Sequence, residues 1–415
     1  MKYLVLIGDG MSDLPLKQLK GKTPLEVAKT PNMDYLAQNG VCGWVNNVPP
    51  GLQPGSDVAS MSIFGYDPSR YYTGRGPLEA ASLGVKLAKN DVAFRCNLVT
   101  VSDGRMKDFT ADHIETVEAR KIIKQLDKKL GRKGIKFYPG LSYRHLLVVS
   151  DVQGPMSDVK TTPPHDITGK NIHEYLPDSK LLLELMNESE VILHGMETNA
   201  TMIWPWGQGK LPAMPSFKKR YGLSGSVITA VDLLKGMGKT LGLEVINVPG
   251  ATGYLDTNYA GKANYALKAL KKHDIVFVHV EAPDEAGHEG SIKKKIKAIE
   301  DFDRLVVGTV LSDARLPVRQ VRSPMSDVRI LVLPDHPTPI KYMTHTRDAV
   351  PFVVWESNDK LCAKGASLPV RQAGASGGKM KNEKCRSYNE REIKKSKIKI
   401  KNGHELMKKF IGGKL

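Results

Sequence analysis

The chain has 415 residues, of which 41% are apolar and 25% charged, and its formal net charge is +17. That length exceeds one ordinary core and predicts two domains. No apolar run approaches the ~20 residues needed to span a bilayer, which argues against a membrane partner. Nucleic acid is a poor fit as well, because residues 360–415 carry 16 Lys and Arg against 4 Glu and so hold +12 of the excess.

The run from Lys2 to Ile7 is continuously aliphatic and predicts a strand covered on both faces. It lacks the basic start, apolar core and cleavage site of a signal peptide, so a cytoplasmic protein is expected. The run ends on Gly8-Asp9-Gly10. A helix follows near Thr30 to Asn39, with Pro31 in its first turn. The Pro/Gly-rich stretch Pro49 to Asp57 then leads into a helix over Val58 to Phe64. Next come a strand near Val92 to Val101, a helix near His113 to Leu130, strands at Ile135 to Tyr138 and Tyr143 to Val149, and a helix near Ser179 to Glu188. That order reads as a small α+β unit over 85–195. Helix and strand alternate again afterwards: a helix at Val227 to Thr240, a strand at Leu243 to Val248, a helix at Asn264 to Lys272 and a strand over 274–280. The last strand stops at Glu281, followed by Asp284 and His288. A further run at Val328 to Leu333 ends on Asp335-His336, with His345 beyond it.

Ligand-bearing strand ends thus lie on both sides of the middle unit. The expected architecture is an α/β domain of residues 1–84 and 196–415, with a mostly parallel sheet between helices, into which 85–195 is inserted. The tail segment from Ile393 to Phe410 alternates Lys with Ile and suits an exposed edge strand guarded by lysines. Leu-Pro-Val-Arg-Gln occurs at 316–320 and again at 368–372, both expected in surface loops. The four cysteines, Cys42, Cys96, Cys362 and Cys385, show no C-x-x-C spacing and read as reduced thiols. Nothing in the sequence signals an oligomeric state.

In parallel sheets the ligand site lies beyond the carboxyl ends of the strands. Asp9, Asp284, His288, Asp335, His336 and His345 would then surround one point, the outline of a two-metal site. Aspartate and histidine without thiolate favour Mn²⁺, Mg²⁺ or Zn²⁺, and paired divalent ions suit phosphoryl transfer. The candidate nucleophile is Ser56, at the entry to a helix where backbone N–H groups favour phosphate. Taken singly, these residues have plainer readings. Ser56 also suits a helix N-cap, and Asp9 suits a turn. Asp284 and His288, at i,i+4 spacing, share one face of a helical turn.

The strings LIGDGM, PGSDVASMSIFGYDP, YYTGRGPLEAA, VEAPDEAGHEG and LPDHPTPI followed by THT resemble the archaeal-type cofactor-independent phosphoglycerate mutases of the alkaline-phosphatase superfamily. The likeness runs over nearly the whole chain. It implies an alkaline-phosphatase-like fold that interconverts 3-phosphoglycerate and 2-phosphoglycerate through a phosphoserine and two divalent ions. Those ions would be Mn²⁺ or Mg²⁺ ahead of Zn²⁺, with no 2,3-bisphosphoglycerate. It implies Ser56 as nucleophile, Asp9, Asp335 and His336 as ligands of the ion that also touches Ser56, and Asp284, His288 and His345 as ligands of the second. The inserted domain would hold the glycerate while the phosphoryl group waits on serine.

A phosphorylated carboxylate calls for cationic forks. The candidates are Arg75, His165, Asp166, Lys210, Lys219, Arg220 and Lys235, each of which has solvent exposure as its plainer reading. Trp204 and Trp206 read as packing residues. Basic stretches near 312–327 and 361–386 depart from the family pattern. A phosphatase or phosphonate hydrolase with the same metals and nucleophile is the alternative, and a basic RNA-associated protein is a third reading.

Overall fold

The aliphatic run at the start of the chain lies in the interior of a sheet. In a computed structural model, which describes residues 1–150, 156–314, 327–357 and 385–415, the strands in chain order are β1 (Lys2–Gly8), β2 (Val41–Val45), β3 (Val92–Ser102), β4 (Arg105–Asp108), β5 (Ile135–Leu141), β6 (Arg144–Val149), β7 (Met202–Lys210), β8 (Gly225–Ile228), β9 (Glu244–Val245), β10 (Ile275–Val280), β11 (Val328–Leu333), β12 (Val350–Glu356) and β13 (Lys399–Ile400). The chain divides into two compact units, Met1–Tyr71 with Met214–Leu415, and Tyr72–Ala213. Among the described residues no helix is long and apolar enough to cross a membrane.

The first unit carries one sheet in the order β13-β2-β12-β11-β1-β10-β8-β9. β1 pairs in parallel with both β10 and β11, so three aliphatic runs lie side by side with their carboxyl ends together. Parallel pairing continues through β8 to β9, and only the pairings made by β12 are antiparallel. The runs lack polar alternation because both faces are covered. On one face Leu4, Leu6, Val276, Val278, Ile330 and Val332 join Ala263, Ala266, Ile299 and Phe302 in a single core. On the other, Phe277 meets Phe64 edge-on at 4.5 Å and Phe217 at 5.7 Å. Each buried Leu, Ile or Val contributes about 1.5–3 kcal/mol relative to exposure.

The second unit has an antiparallel sheet in the order β4-β3-β6-β5, with β7 also paired to β3. Phe94, Cys96 and Leu98 of β3 pack with Ile122, Ile123 and Leu126 of the helix Thr116–Leu130 and with Leu182 and Leu185 of the helix Lys180–His194. Ala93 points the other way and packs with Ala80 of the helix Arg75–Leu83. That helix packs on this sheet and β7 is one of its strands, so the compact unit Tyr72–Ala213 extends beyond 85–195 at each end.

Several local expectations need correction. Gly225–Ile228 is a strand and the helix starts at Asp232, so the expected helix over 227–240 was too long at its front. The strand expected over 243–248 pairs only at Glu244–Val245. In the tail, only Lys399–Ile400 joins the sheet, beside Trp44 and Val45, and His404–Gly412 is a helix burying Leu406, Met407 and Phe410. Both Leu-Pro-Val-Arg-Gln copies, Cys362 and most of the basic stretches near 312–327 and 361–386 lie outside the described residues. Cys42, Cys96 and Cys385 are free and buried.

Candidate active site

Three parallel strands deliver their following residues to one point. Asp9 comes directly after β1, Asp284 and His288 lie on the helix Ala282–His288 after β10, and Asp335 and His336 follow β11. The expected i,i+4 pair is present, with His288 Nε2 3.2 Å from Asp284 Oδ2. Close approach is possible because Gly10 has no side chain. It adopts φ +61°, and a Cβ there would stand 2.5 Å from Asp284 Oδ1 and 2.6 Å from Thr338 Oγ1.

Asp9, Asp335 and His336 form a group whose ligand atoms all lie within 4.8 Å of one another, and all three residues are buried. His336 Nε2 is 3.6 Å from Asp9 Oδ1 and 3.4 Å from Asp335 Oδ2. Among the described residues, Asp9 Oδ1 and Asp335 Oδ2 have no hydrogen-bond partner. Asp335 Oδ1 instead accepts from the backbone N–H of Gly10 at 3.1 Å and of His336 at 2.8 Å. Burial first, and then the neighbouring Asp335 and Asp284 charges, push the Asp9 carboxyl well above its usual range. Two desolvated carboxylates with unpartnered oxygens fit a divalent cation, which removes both penalties at once.

Asp284, His336 and His345 form a second such group, with His345 partly exposed. His345 Nε2 lies 3.5 Å from Asp284 Oδ1, and His288 Nε2 lies 2.9 Å from His345 Nε2. His288 therefore joins this group at its rim, and His336 belongs to both groups. Burial pushes Asp284 up, but hydrogen bonds from His288 and His345 outweigh it and hold the carboxyl well below its usual range. Burial likewise pushes His288 down, yet Asp284 holds it up at about 9. The far ring nitrogens are anchored too. His288 Nδ1 faces the Met343 carbonyl at 3.0 Å and His336 Nδ1 faces Thr338 Oγ1 at 3.3 Å. Protonation of Nδ1 on these partners leaves each Nε2 lone pair for a cation, as in metal-binding histidines generally.

Ser56 is the first residue of the helix Ser56–Ile63, two residues earlier than the expected start, and Gly55 takes the N-cap position. The N-cap reading therefore falls away. Its Oγ lies 3.2 Å from His336 Nε2 and 3.4 Å from Asp9 Oδ2. A hydroxyl at a helix N-terminus beside an acid–imidazole group has donors for an anion on one side and a proton acceptor on the other, chemistry that suits a nucleophile.

The substrate candidates are more dispersed. In the second unit, the Arg75 guanidinium stands 5.7 Å from the Trp206 ring centre and that of Arg95 stands 5.0 Å away. The His165 ring meets the same indole at 5.4 Å, and Asp166 lies 3.5 Å from His165 Nε2. Trp204 and Trp206 are buried, as packing residues should be, and Lys210 ends β7 exposed. In the first unit, Arg220 stacks 4.8 Å from the Tyr66 ring while Lys219, on the same short helix, is exposed. Lys235 pairs with Asp232 at 3.1 Å.

Sequence reasoning passed over four buried polar residues around the cluster. His279 Nε2 lies 3.0 Å from Asp9 Oδ2, and Lys262 Nζ donates to the His279 carbonyl at 3.0 Å. Lys295 and Asp13 form a fully buried ion pair at 2.8 Å. A signal for Lys295 exists, because it shares a helical face with Ala298, Ile299 and Phe302.

A sequence model of the family described as 2,3-bisphosphoglycerate-independent phosphoglycerate mutase matches residues 37–199. A curated relative of that name from Methanosarcina barkeri is 52% identical over 396 residues, covering 90% of this chain and 97% of its own. A solved protein from Pyrococcus horikoshii superposes with a TM-score of 0.76 at 29% identity, covering 99% of this chain and 96% of that one. The cofactor-independent phosphoglycerate mutase of Thermoplasma acidophilum shares the fold at a TM-score of 0.63 and 24% identity, with both chains fully covered. With more than half its residues identical to such a relative over nine-tenths of its length, the chain belongs to the 2,3-bisphosphoglycerate-independent phosphoglycerate mutase family.

Proposed function

We propose that this chain is a cytoplasmic isomerase that interconverts 3-phosphoglycerate and 2-phosphoglycerate without 2,3-bisphosphoglycerate, using Ser56 as the phosphoryl carrier. The observation that carries this reading is the position of Ser56 Oγ at a helix N-terminus, within 3.4 Å of both Asp9 and His336. Ser56 Oγ attacks phosphorus, the bond to the glycerate oxygen breaks, and that oxygen leaves as the glycerate hydroxyl after taking up a proton. The other glycerate hydroxyl then attacks phosphoserine, loses its proton and frees Ser56. No atom is gained or lost, as an isomerisation requires.

Asp9, Ser56, Asp335 and His336 would hold one divalent ion, and Asp284, His288 and His345 the other. Mn²⁺ or Mg²⁺ suits this oxygen- and imidazole-rich set, and when bound would stabilise phosphoryl charge and favour the serine alkoxide. The N-terminal N–H groups of the helix Ser56–Ile63 supply donors for phosphate oxygens. The proposed cationic contacts for phosphate or carboxylate are, within the second unit, Arg75, His165 and Lys210 and, within the first, Lys219, Arg220 and Lys235; Asp166, an acid, suits a glycerate hydroxyl instead. Retaining the glycerate separates a mutase from a phosphatase, because water that reaches phosphoserine releases phosphate.

The test is to mix enzyme, Mn²⁺ and 3-phosphoglycerate, quench in acid and map phosphorylation by mass spectrometry. Phosphate on Ser56 in the wild type, absent from Ser56→Ala, is expected. A rapidly turning-over enzyme that carries no phosphoserine contradicts the reading.

A further inference from the structure

Lys295 sits on the helix Ile292–Asp301, in a lysine-rich stretch whose other members point outward, and its side chain has 0% exposure. All three donors of its ammonium are used. They reach Asp13 Oδ2 at 2.8 Å, the Ser12 carbonyl at 3.2 Å and the Thr338 carbonyl at 2.7 Å. These partners belong to two different ligand loops. Ser12 and Asp13 follow Asp9, while Thr338 follows Asp335 and His336. Lys295 itself is on the helix after the one that carries Asp284 and His288. One ammonium therefore ties together the three segments that carry the metal-type ligands.

The surroundings reinforce the tie. Asp13 Oδ2 also accepts from Ile340 N–H at 3.2 Å, and Thr338 N–H donates to the Ser12 carbonyl at 3.3 Å. Thr338 Oγ1 donates to Asp284 Oδ1 and faces His336 Nδ1 at 3.3 Å, so the residue held by Lys295 touches a member of each ligand group. A Cβ at Gly287 would stand 2.6 Å from the Thr338 carbonyl, which shows how closely these loops are drawn together. An ion pair taken fully out of water seldom adds net stability, so a role in placing groups is a better account of it.

We propose that Lys295 is a positioning residue that sets the spacing of the two ion sites by clamping the loops that carry Asp9, Asp284, Asp335 and His336. The inference rests on the two-ion reading above. With no donor free, Lys295 does not touch substrate; it acts through Thr338 and the Ser12–Asp13 turn.

The test uses full-length, metal-free protein titrated with Mn²⁺ by calorimetry, with electron paramagnetic resonance to read spin coupling between the ions. Lys295→Met alone leaves Asp13 charged and buried, which can unfold the chain, so the Lys295→Met/Asp13→Asn variant, lacking both charges, is the decisive one. It is expected to fold, with a metal-free thermal midpoint within about 5 °C of wild type. It is expected to bind Mn²⁺ about ten- to a hundredfold more weakly, with altered spin coupling. Wild-type affinity and an unchanged coupled spectrum would overturn the proposal. Loss of the fold in the doubly neutral variant would overturn it as well, since Lys295 would then serve folding and not ion spacing. Wild-type protein that binds no ion pair would instead refute the two-ion reading, and Asp9→Ala that keeps both ions would refute the ligand set assigned to it; either result removes the basis for the clamp.

Discussion

The two ligand groups share His336 and are otherwise built from opposite materials. Asp9 and Asp335 are sealed from water with an unpartnered oxygen each, and Asp9 is pushed towards its neutral form. Asp284, in contrast, is surrounded by His288 and His345, which stabilise its charge, and His345 is partly open to solvent. Protein groups therefore satisfy the histidine group internally, whereas the acid group is left with net negative charge that burial penalises. The acid group is the one against which Ser56 lies. In physical terms, the need for a cation is concentrated beside the proposed nucleophile.

Five substitutions break or sharpen that contrast. The largest effect is expected from Ser56→Ala, which should lower turnover by about 10⁴-fold or more while calorimetry still counts two bound Mn²⁺. Asp9→Ala should lose one of the two ions together with turnover, read by metal analysis after gel filtration. His288→Ala touches only the rim of the histidine group and should weaken one Mn²⁺ by about ten- to a hundredfold while keeping both sites.

The smallest effects appear in the stability of the metal-free protein and should have opposite signs. The Asp9 pKa is raised, so its ionisation disfavours the fold once pH exceeds the ordinary value of 3.8. Asp9→Asn should then stabilise metal-free protein by about 1–2 kcal/mol at pH 7, the gain vanishing below that value. The Asp284 pKa is lowered, so its charge stabilises the fold above 3.8, a contribution lost as pH falls below it. Asp284→Asn should destabilise by about 1–3 kcal/mol at pH 7. Urea denaturation at two pH values reads both, and equal signs would remove the contrast.

Much of this site was legible because burial on both faces writes β1, β10 and β11 as largely apolar runs, each followed within a few residues by Asp or His. The position of Ser56 was legible to within two residues, but its being the first helical residue depends on Gly55 and the loop before it. Lys295 was hidden among Lys293, Lys294 and Lys297, where composition suggests a solvated face and only helical periodicity separates it from its neighbours. His279 was hidden inside an aliphatic strand. The residues 225–228 satisfy both strand and helix patterning, and pairing with β10 decided for strand. The expected insertion was too narrow because nothing local in Arg75–Leu83 or in Met202–Lys210 says which sheet will bury it. Ala80 and Ala93 make that choice through tertiary packing.

The most direct test of phosphoryl transfer through Ser56 is an Mn²⁺-supplemented assay with 3-phosphoglycerate that follows 2-phosphoglycerate through enolase and free phosphate in parallel. Formation of 2-phosphoglycerate without added 2,3-bisphosphoglycerate, with little phosphate released and no activity in Ser56→Ala, is the predicted result. Phosphate release without 2-phosphoglycerate would make the same cluster a hydrolase, and full mutase activity in Ser56→Ala would contradict the account outright.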